Sequence, residues 1–81
     1  MLVKIWKELF LIKIFRKNVR HLRKQHGYTL QQFADILGVS KSLISQFESG
    51  YSGISLEVIL QIRSLFNVSL DDLILKDLTK N

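Results

Sequence analysis

Four polar residues with hydrogen-bonding side chains fall on one face of a short helix predicted between Ser40 and Gly50. These recognition-face residues are Lys41, Ser42, Ser45 and Gln46. Their ammonium, hydroxyl and amide groups make hydrogen bonds, but nothing beside them would activate a nucleophile. The apolar Ile44 and Phe47 lie three residues apart on another face of the same helix. The pattern predicts a helix that is anchored by its apolar side and presents its polar side outward.

The rest of the sequence gives no support to catalysis or metal binding. It contains no Ser/His/Asp set, no phosphate-binding Walker loop and no pair of catalytic carboxylates. His21 and His26 are five residues apart, so they do not share a helix face as an i, i+4 metal pair would, and cysteine is absent. We therefore expect a protein that is not an enzyme and uses no cofactor or metal. The lack of cysteine fits the reducing cytoplasm.

The charge of the 81-residue chain is concentrated in its first third. Residues 1–27 hold eight Lys/Arg against one acidic residue, which gives +7, whereas residues 28–81 hold four against six, which gives −2. The sum is the formal net charge of +5. A basic half of this kind favours a polyanionic partner, either nucleic acid or an acidic membrane surface, although a solvated basic face with no partner has the same composition.

The chain has no proline and only four glycines, which favours helices joined by short turns. Short helices must therefore position the recognition face. A first helix is predicted over residues 18–26, and Thr29 with Gln32 forms a capping box that opens a second. Serines cap three further helices, at Ser40, Ser55 and Ser69. The apolar residues expected on the inner side of the second and fourth helices are Leu30, Phe33, Ala34, Leu37, Leu56, Ile59, Ile62 and Phe66. The prediction is an all-α fold of five helices.

The spacing of Ala34, Gly38 and Ile44 predicts how the second and third helices meet. Two helices that cross at a steep angle through a turn of three or four residues need a small residue at the crossing and a glycine in the turn. Ala34 supplies the first and Gly38 the second. Ile44 and Phe47 then fix the third helix from below, so that its first residues can enter a DNA major groove.

These positions strongly resemble the lambda-repressor-like Cro/Xre family of helix-turn-helix proteins. The resemblance covers residues 18–75 and continues through Ser55, Leu56 and the segment 68–73. The matching positions of the central motif are Arg20, Arg23, Gly27, Tyr28, Thr29, Leu30, Phe33, Ala34, Gly38, Val39, Ser40, Ser42, Ile44, Ser45, Phe47, Glu48 and Gly50. The chain departs from the family at Ile54, where a proline is usual, and at Leu30, where a polar phosphate-contacting side chain is frequent.

The resemblance implies a role for each part of the motif. The helix over residues 41–49 would lie in the major groove, with the recognition-face residues on base edges. Lysine suits guanine, glutamine suits adenine, and serine suits either base. Arg23 and Glu48 are expected to form a partly buried structural ion pair. Contacts to phosphate, through short hydroxyl side chains or a free backbone N–H, are expected from Thr29, Leu30, Ser49, Tyr51 and Ser52.

The N-terminal segment, residues 1–17, lies outside the resemblance and is unusually apolar. Leu2, Ile5, Leu9 and Ile12 form one stripe of a helix, while five more apolar residues spread around it: Trp6, Phe10, Leu11, Ile14 and Phe15. A helix that is apolar nearly all round is usually buried, so we expect it to pack on the domain's own flank or across a dimer interface. Attachment to a membrane surface is disfavoured by its scattered lysines. A segment without a fixed position is the third alternative.

The sequence therefore predicts a lambda-repressor-like DNA-binding domain at residues 18–76, preceded by this segment and followed by a tail at 77–81. One such domain contacts only a few base pairs, so we expect a cytoplasmic homodimer that binds an inverted repeat in double-stranded DNA. It would act as a transcriptional regulator, as a repressor rather than an activator. The alternative is an antitoxin-like interaction module that grips a partner protein through residues 1–15.

Overall fold

The computed structural model describes residues 2–80, and it describes side chains from residue 9 onward. The chain forms five helices in this range, with no strand among the described residues: α1 (Leu2–Gln25), α2 (Leu30–Leu37), α3 (Lys41–Ser49), α4 (Leu56–Phe66) and α5 (Leu70–Leu75). The predicted all-α class with five helices is confirmed.

Hydrogen bonds from side chains close the starts of the four shorter helices. Thr29 Oγ1 accepts from the Gln32 N–H at 3.1 Å and the Thr29 N–H donates to Gln32 Oε1 at 2.9 Å, which completes the predicted capping box. Ser40, Ser55 and Ser69 accept in the same way at the starts of α3, α4 and α5. The helix boundaries are therefore specified locally, by satisfaction of backbone donors that have no partner inside the helix.

Helix α1 runs without interruption through the boundary predicted between residues 17 and 18. Nothing in residues 1–26 is a glycine or proline that would end it. The side chains of α1 that face the domain recur every three or four residues, counted back along the helix from Leu22. They are Leu22, Val19, Phe15 and Leu11. Leu9 and Ile12 of the predicted stripe are instead exposed, as is Phe10, whereas the side chains of Leu2, Ile5 and Trp6 lie outside the described residues.

The core joins one buried stripe from each helix, and Phe33, Ile44, Ile62 and Leu73 are completely enclosed. Leu56 was expected in this core but is 67% exposed. Counting back from Phe66 in steps of four residues gives Ile62 and Val58, and it misses Leu56. Val58 therefore occupies the buried place at the start of α4.

A single buried amide ties α1 to the end of the chain. Asn18 is fully enclosed, and its Nδ2 donates to the backbone oxygens of Leu73 and Lys76 at 2.7 and 2.6 Å. Its Oδ1 accepts from the Leu78 N–H at 2.9 Å. Every hydrogen-bonding group of this side chain thus joins α1 to the end of α5 and the residues that follow it. Sequence analysis placed Asn18 in the first helix but gave it no such role.

The segment predicted as a C-terminal tail is held against α1 over its described residues, 77–80. Lys17 Nζ lies 3.0 Å from Asp77 Oδ2, and Thr79 donates to the other carboxylate oxygen. The hydrogen bonds from Thr79 and Lys17 lower the pKa of Asp77 from 3.8 to about 2, so this carboxylate is ionised at neutral pH. Asn81 lies outside the described residues.

Candidate nucleic-acid interface

The turn between α2 and α3 has the geometry that the spacing of Ala34, Gly38 and Ile44 predicts. Ala34 is completely buried, and its carbonyl oxygen accepts from the Val39 N–H at 3.0 Å. Gly38 adopts φ +72°, a left-handed conformation that a Cβ disfavours. Ile44 and Phe47 are buried beneath α3, so the orientation of this helix is fixed from its apolar side.

The recognition-face residues are accessible on the opposite side of α3. Lys41, Ser42 and Gln46 are exposed, and Ser45 is half-buried. Gln46 Nε2 lies 3.4 Å from Ser42 Oγ, one helical turn away, as a weak hydrogen bond that leaves the amide oxygen available. The face therefore offers an ammonium group, two hydroxyls and an amide on a helix held by the core. Their contact with bases stays a prediction.

Three of the five candidate phosphate contacts are exposed: Thr29, Ser49 and Tyr51. Thr29 Oγ1 is engaged in the capping box. Leu30 is half-buried, and as the first residue of α2 its N–H has no acceptor inside the helix. Ser52 differs from the others, because its Oγ is buried and has no hydrogen-bond partner among the described residues. A contact from Ser52 to phosphate would need the loop over residues 51–55 to move.

Arg23 and Glu48 form a two-point ion pair between α1 and α3. Arg23 Nε donates to Glu48 Oε2 at 2.7 Å and Nη2 donates to Oε1 at 3.0 Å. The third guanidinium nitrogen, Nη1, donates to the Tyr28 carbonyl oxygen at 2.8 Å. The two side chains are only 9% and 7% exposed. Arg20, at 3.9 Å from the same carboxylate, is more than half exposed and adds a weaker contact.

Arg16 is a residue of this region that sequence analysis missed. Its guanidinium lies against Gly50, which ends α3 at φ +88°, and a Cβ at that position would collide with it. Gly50 thus serves both the helix end and the approach of α1. A signal was present in the sequence, since Arg16, Arg20 and Arg23 recur at spacings of four and three and must share one face of a helix.

His26 packs against the domain, as its contacts show. The His26 ring lies 4.8 Å from the Phe66 ring, centroid to centroid, and its Nδ1 is 2.9 Å from the Leu22 carbonyl oxygen. The described residues contain no group of three His, Cys, Asp or Glu side chains that could hold a metal ion. Within the same range, no helix has the length and apolar character needed to cross a membrane.

A protein-family model described as "Helix-turn-helix" matches residues 19–73 of this chain. The antitoxin PezA of Streptococcus pneumoniae is 43% identical over 61 residues, which are 75% of this chain and 39% of that protein. The HTH-type transcriptional regulator AnsR of Bacillus subtilis is 42% identical over 53 residues, 65% of this chain and 46% of its own length.

A third relative, a competence pilus inhibition repressor of Acinetobacter baylyi, is 42% identical over 57 residues, 70% of this chain and 52% of that protein. The chain spans between 18% and 52% of the length of eight curated relatives that it matches. No solved structure gives a significant match.

Proposed function

The chain belongs to the helix-turn-helix family of the Cro/Xre type, and on that basis we propose that it is a sequence-specific DNA-binding transcriptional regulator. It places α3 in the major groove, with base contacts from Lys41, Ser42, Ser45 and Gln46. The observation that carries the proposal is the construction of α3, whose polar face points outward while Ile44 and Phe47 are buried beneath it. It is not an enzyme, and its place of action is the cytoplasm, where its DNA is.

In this proposal, contacts with backbone phosphates hold α3 in position on the duplex. The N–H of Leu30 at the start of α2 and the exposed side chains of Ser49 and Tyr51 would contact the DNA strands that flank α3. These groups carry little sequence information, so specificity falls to the recognition face. The Arg23–Glu48 ion pair keeps α3 at a fixed angle to α1 and has no direct contact with DNA in this proposal.

The regulator acts as a homodimer on an inverted repeat, and as a repressor. One α3 contacts only a few base pairs, and two copies related by a two-fold axis contact half-sites about one helical turn, roughly 34 Å, apart. The name of the Acinetobacter baylyi relative, a repressor, supports the direction of regulation.

Selection of binding sites from random duplexes tests this proposal. We expect the full chain to enrich an inverted repeat, with two chains bound per duplex. Gln46→Ala should relax the preference at one symmetric base pair in each half-site by about 1–3 kcal/mol, the usual value of one bidentate base contact. Gln61→Ala, the same change on α4, should leave every preference as it was. If no site is enriched at low salt, sequence-specific regulation is wrong.

A second candidate function is supported by the exposed apolar end of α1. Leu9, Phe10 and Ile12 are 53%, 62% and 56% exposed, and one of the matched relatives carries the name antitoxin. In this alternative the chain binds a partner protein through residues 1–15. Its helix-turn-helix domain then either binds DNA as well or serves only to hold that segment in place.

Substitution of the three exposed apolar residues separates the two candidates. In the homodimer proposal, the combined change Leu9→Gln, Phe10→Gln and Ile12→Gln is expected to weaken self-association at least tenfold, because it removes apolar surface that a second copy would cover. Leu56→Gln with Leu75→Gln, at equally exposed sites, is the control. Light scattering measures the mass. A dimer of unchanged affinity would exclude this surface from the dimer interface and favour its use for a partner protein.

A further inference from the structure

Two surface recesses meet beside the C-terminal end of α3. The smaller, about 220 Å³, lies between α1, α2 and α3 and is lined by Arg20, Leu30 and Ser45 together with Arg23, Glu48 and Ser49. The larger, about 570 Å³, follows α1 toward its N-terminal half and reaches Lys13, Arg16, Lys17 and Lys80. Both share the side chains of Arg20, Glu48 and Ser49. The two recesses are therefore neighbours, and together we call them the channel, which has Ser45 of α3 at one end and Lys13 of α1 at the other.

The channel is strongly cationic once its ion pairs are counted. Its two carboxylates are already engaged: Glu48 accepts both bonds from Arg23, and Asp77 accepts from Lys17. No described carboxylate forms an ion pair with Lys13 or Arg16, and the 3.9 Å contact of Arg20 with Glu48 leaves most of its guanidinium in solvent. We call Lys13, Arg16 and Arg20 the basic line of α1.

The basic line is a row of three charges along one face of α1. Residues three or four apart on a helix have Cβ atoms about 5–6 Å apart, so the three side chains follow one another along α1. The Arg16 guanidinium lies beside Gly50 at the end of α3. The helix that carries the row is tied to the recognition helix by the Arg23–Glu48 ion pair. Lys13 stands about 4.5 Å further along the axis of α1 than Arg16. It lies outside the residues that the family model matches, as does Arg16.

We infer that the basic line binds the sugar-phosphate backbone of DNA flanking the site contacted by α3, and so lengthens the protein's contact with the duplex beyond its helix-turn-helix. This inference rests on the proposed DNA-binding function. A polyanion is the partner that fits, because a row of fixed cations without free carboxylates attracts repeated negative charge and discriminates little between bases. The channel starts at Ser45, on the proposed recognition face, so one strand could continue from α3 onto α1.

The salt dependence of binding to a 30-base-pair duplex of arbitrary sequence tests the inference. Each phosphate contact contributes about 0.9 to the slope of log K against log salt concentration. Lys13→Gln with Arg16→Gln should therefore lower the slope by about 1.8 and weaken binding by tens of fold near 0.1 M salt. Arg63→Gln with Lys76→Gln makes the same change of net charge at residues that line neither recess, and it should leave the slope within about half a unit of the original.

Several outcomes would overturn the inference. An equal loss of slope in both double variants would mean that only net charge matters, and an unchanged slope in the first would mean that the basic line makes no contact. If the first double variant lost binding to phosphatidylserine vesicles but bound the duplex as before, the basic line would be a membrane-binding surface instead. Lys13→Gln alone, at an exposed residue, should still lose about 0.9 of the slope if Arg16→Gln disturbs the packing of α3.

The same measurement keeps this inference separate from the proposed function. Arbitrary duplexes need no operator, so the difference in slope between the two double variants can appear even if site selection enriches nothing. In that case the proposed sequence-specific regulation is wrong, and binding of the DNA backbone by the basic line is still supported. If selection enriches an inverted repeat but the slopes agree, the regulator stands and the basic line is wrong.

Discussion

Glu48→Gln is expected to lower the free energy of unfolding by about 3–5 kcal/mol, the usual cost of removing one partner from a buried ion pair. The glutamine has nearly the same shape, and its amide oxygen can still accept one hydrogen bond. Its NH2 group, however, faces a guanidinium N–H, and Arg23 is left charged, only 9% exposed and without an ion-pair partner at this position. A domain of this size has about 5–15 kcal/mol of stability in total. Urea denaturation should therefore show a midpoint far below that of the original chain, and Tm should fall by more than about 12 °C.

Two controls separate the burial of this charge from other causes. Arg20→Gln removes a contact of 3.9 Å at an exposed guanidinium and should cost less than about 1 kcal/mol. Arg23→Met combined with Glu48→Leu removes both charges and should recover most of the lost stability, because well-packed apolar residues often replace a buried ion pair without cost. A loss below about 1 kcal/mol for Glu48→Gln would show that the guanidinium finds water instead, and that the pair does not hold α3 in place.

The parts of the fold that sequence analysis predicted are those that local chemistry decides. The capping box at Thr29, the serine caps and the left-handed glycines at Gly38 and Gly50 need only residues within one helical turn. The same is true of the outward polar face of α3, which follows from its position opposite Ile44. The turn between α2 and α3, with Ala34 buried and Gly38 in a left-handed conformation, also follows from short-range spacing.

The parts that sequence analysis missed depend on residues far apart in the chain. The hydrogen-bond partners of Asn18 lie 55 to 60 residues away in the sequence, and no periodic pattern in a single sequence predicts such contacts. The burial of Val58 instead of Leu56 depends on which side of α4 faces Phe66 and its neighbours. The buried Ser52 hydroxyl is likewise set by the way its loop folds onto the domain.

The length of α1 was missed for another reason. The segment over residues 1–17 lies outside the family resemblance, which begins at residue 18, and the boundary was predicted there. A helix, however, ends only where the backbone or a cap ends it, and this stretch has neither a glycine nor a proline. Continuity carries Lys13 and Arg16 to the end of α3 as a fixed extension, which a flexible arm would not do.

Asn18→Leu is expected to lower the free energy of unfolding by about 3 kcal/mol or more, although leucine branches at the same carbon and has the same number of side-chain heavy atoms. The change removes three hydrogen bonds, each worth about 1 kcal/mol net. It also leaves the Leu73 and Lys76 carbonyl oxygens and the Leu78 N–H facing an apolar side chain, and an unpaired buried polar group costs about 1–3 kcal/mol. Gln25→Ala, at an exposed site on the same helix, should change stability by less than about 0.5 kcal/mol.

Hydrogen exchange distinguishes the loss of this clamp from a general weakening of the core. The Leu78 N–H donates to Asn18 Oδ1, so its protection should fall in Asn18→Leu further than the protection of amides in α2 and α3. Uniform loss of protection across all helices would contradict a local role for Asn18. Because this amide joins α1 to the end of α5, its loss should also let α1 change its angle to α3. The salt dependence of duplex binding would then fall without any change in the charge of the basic line.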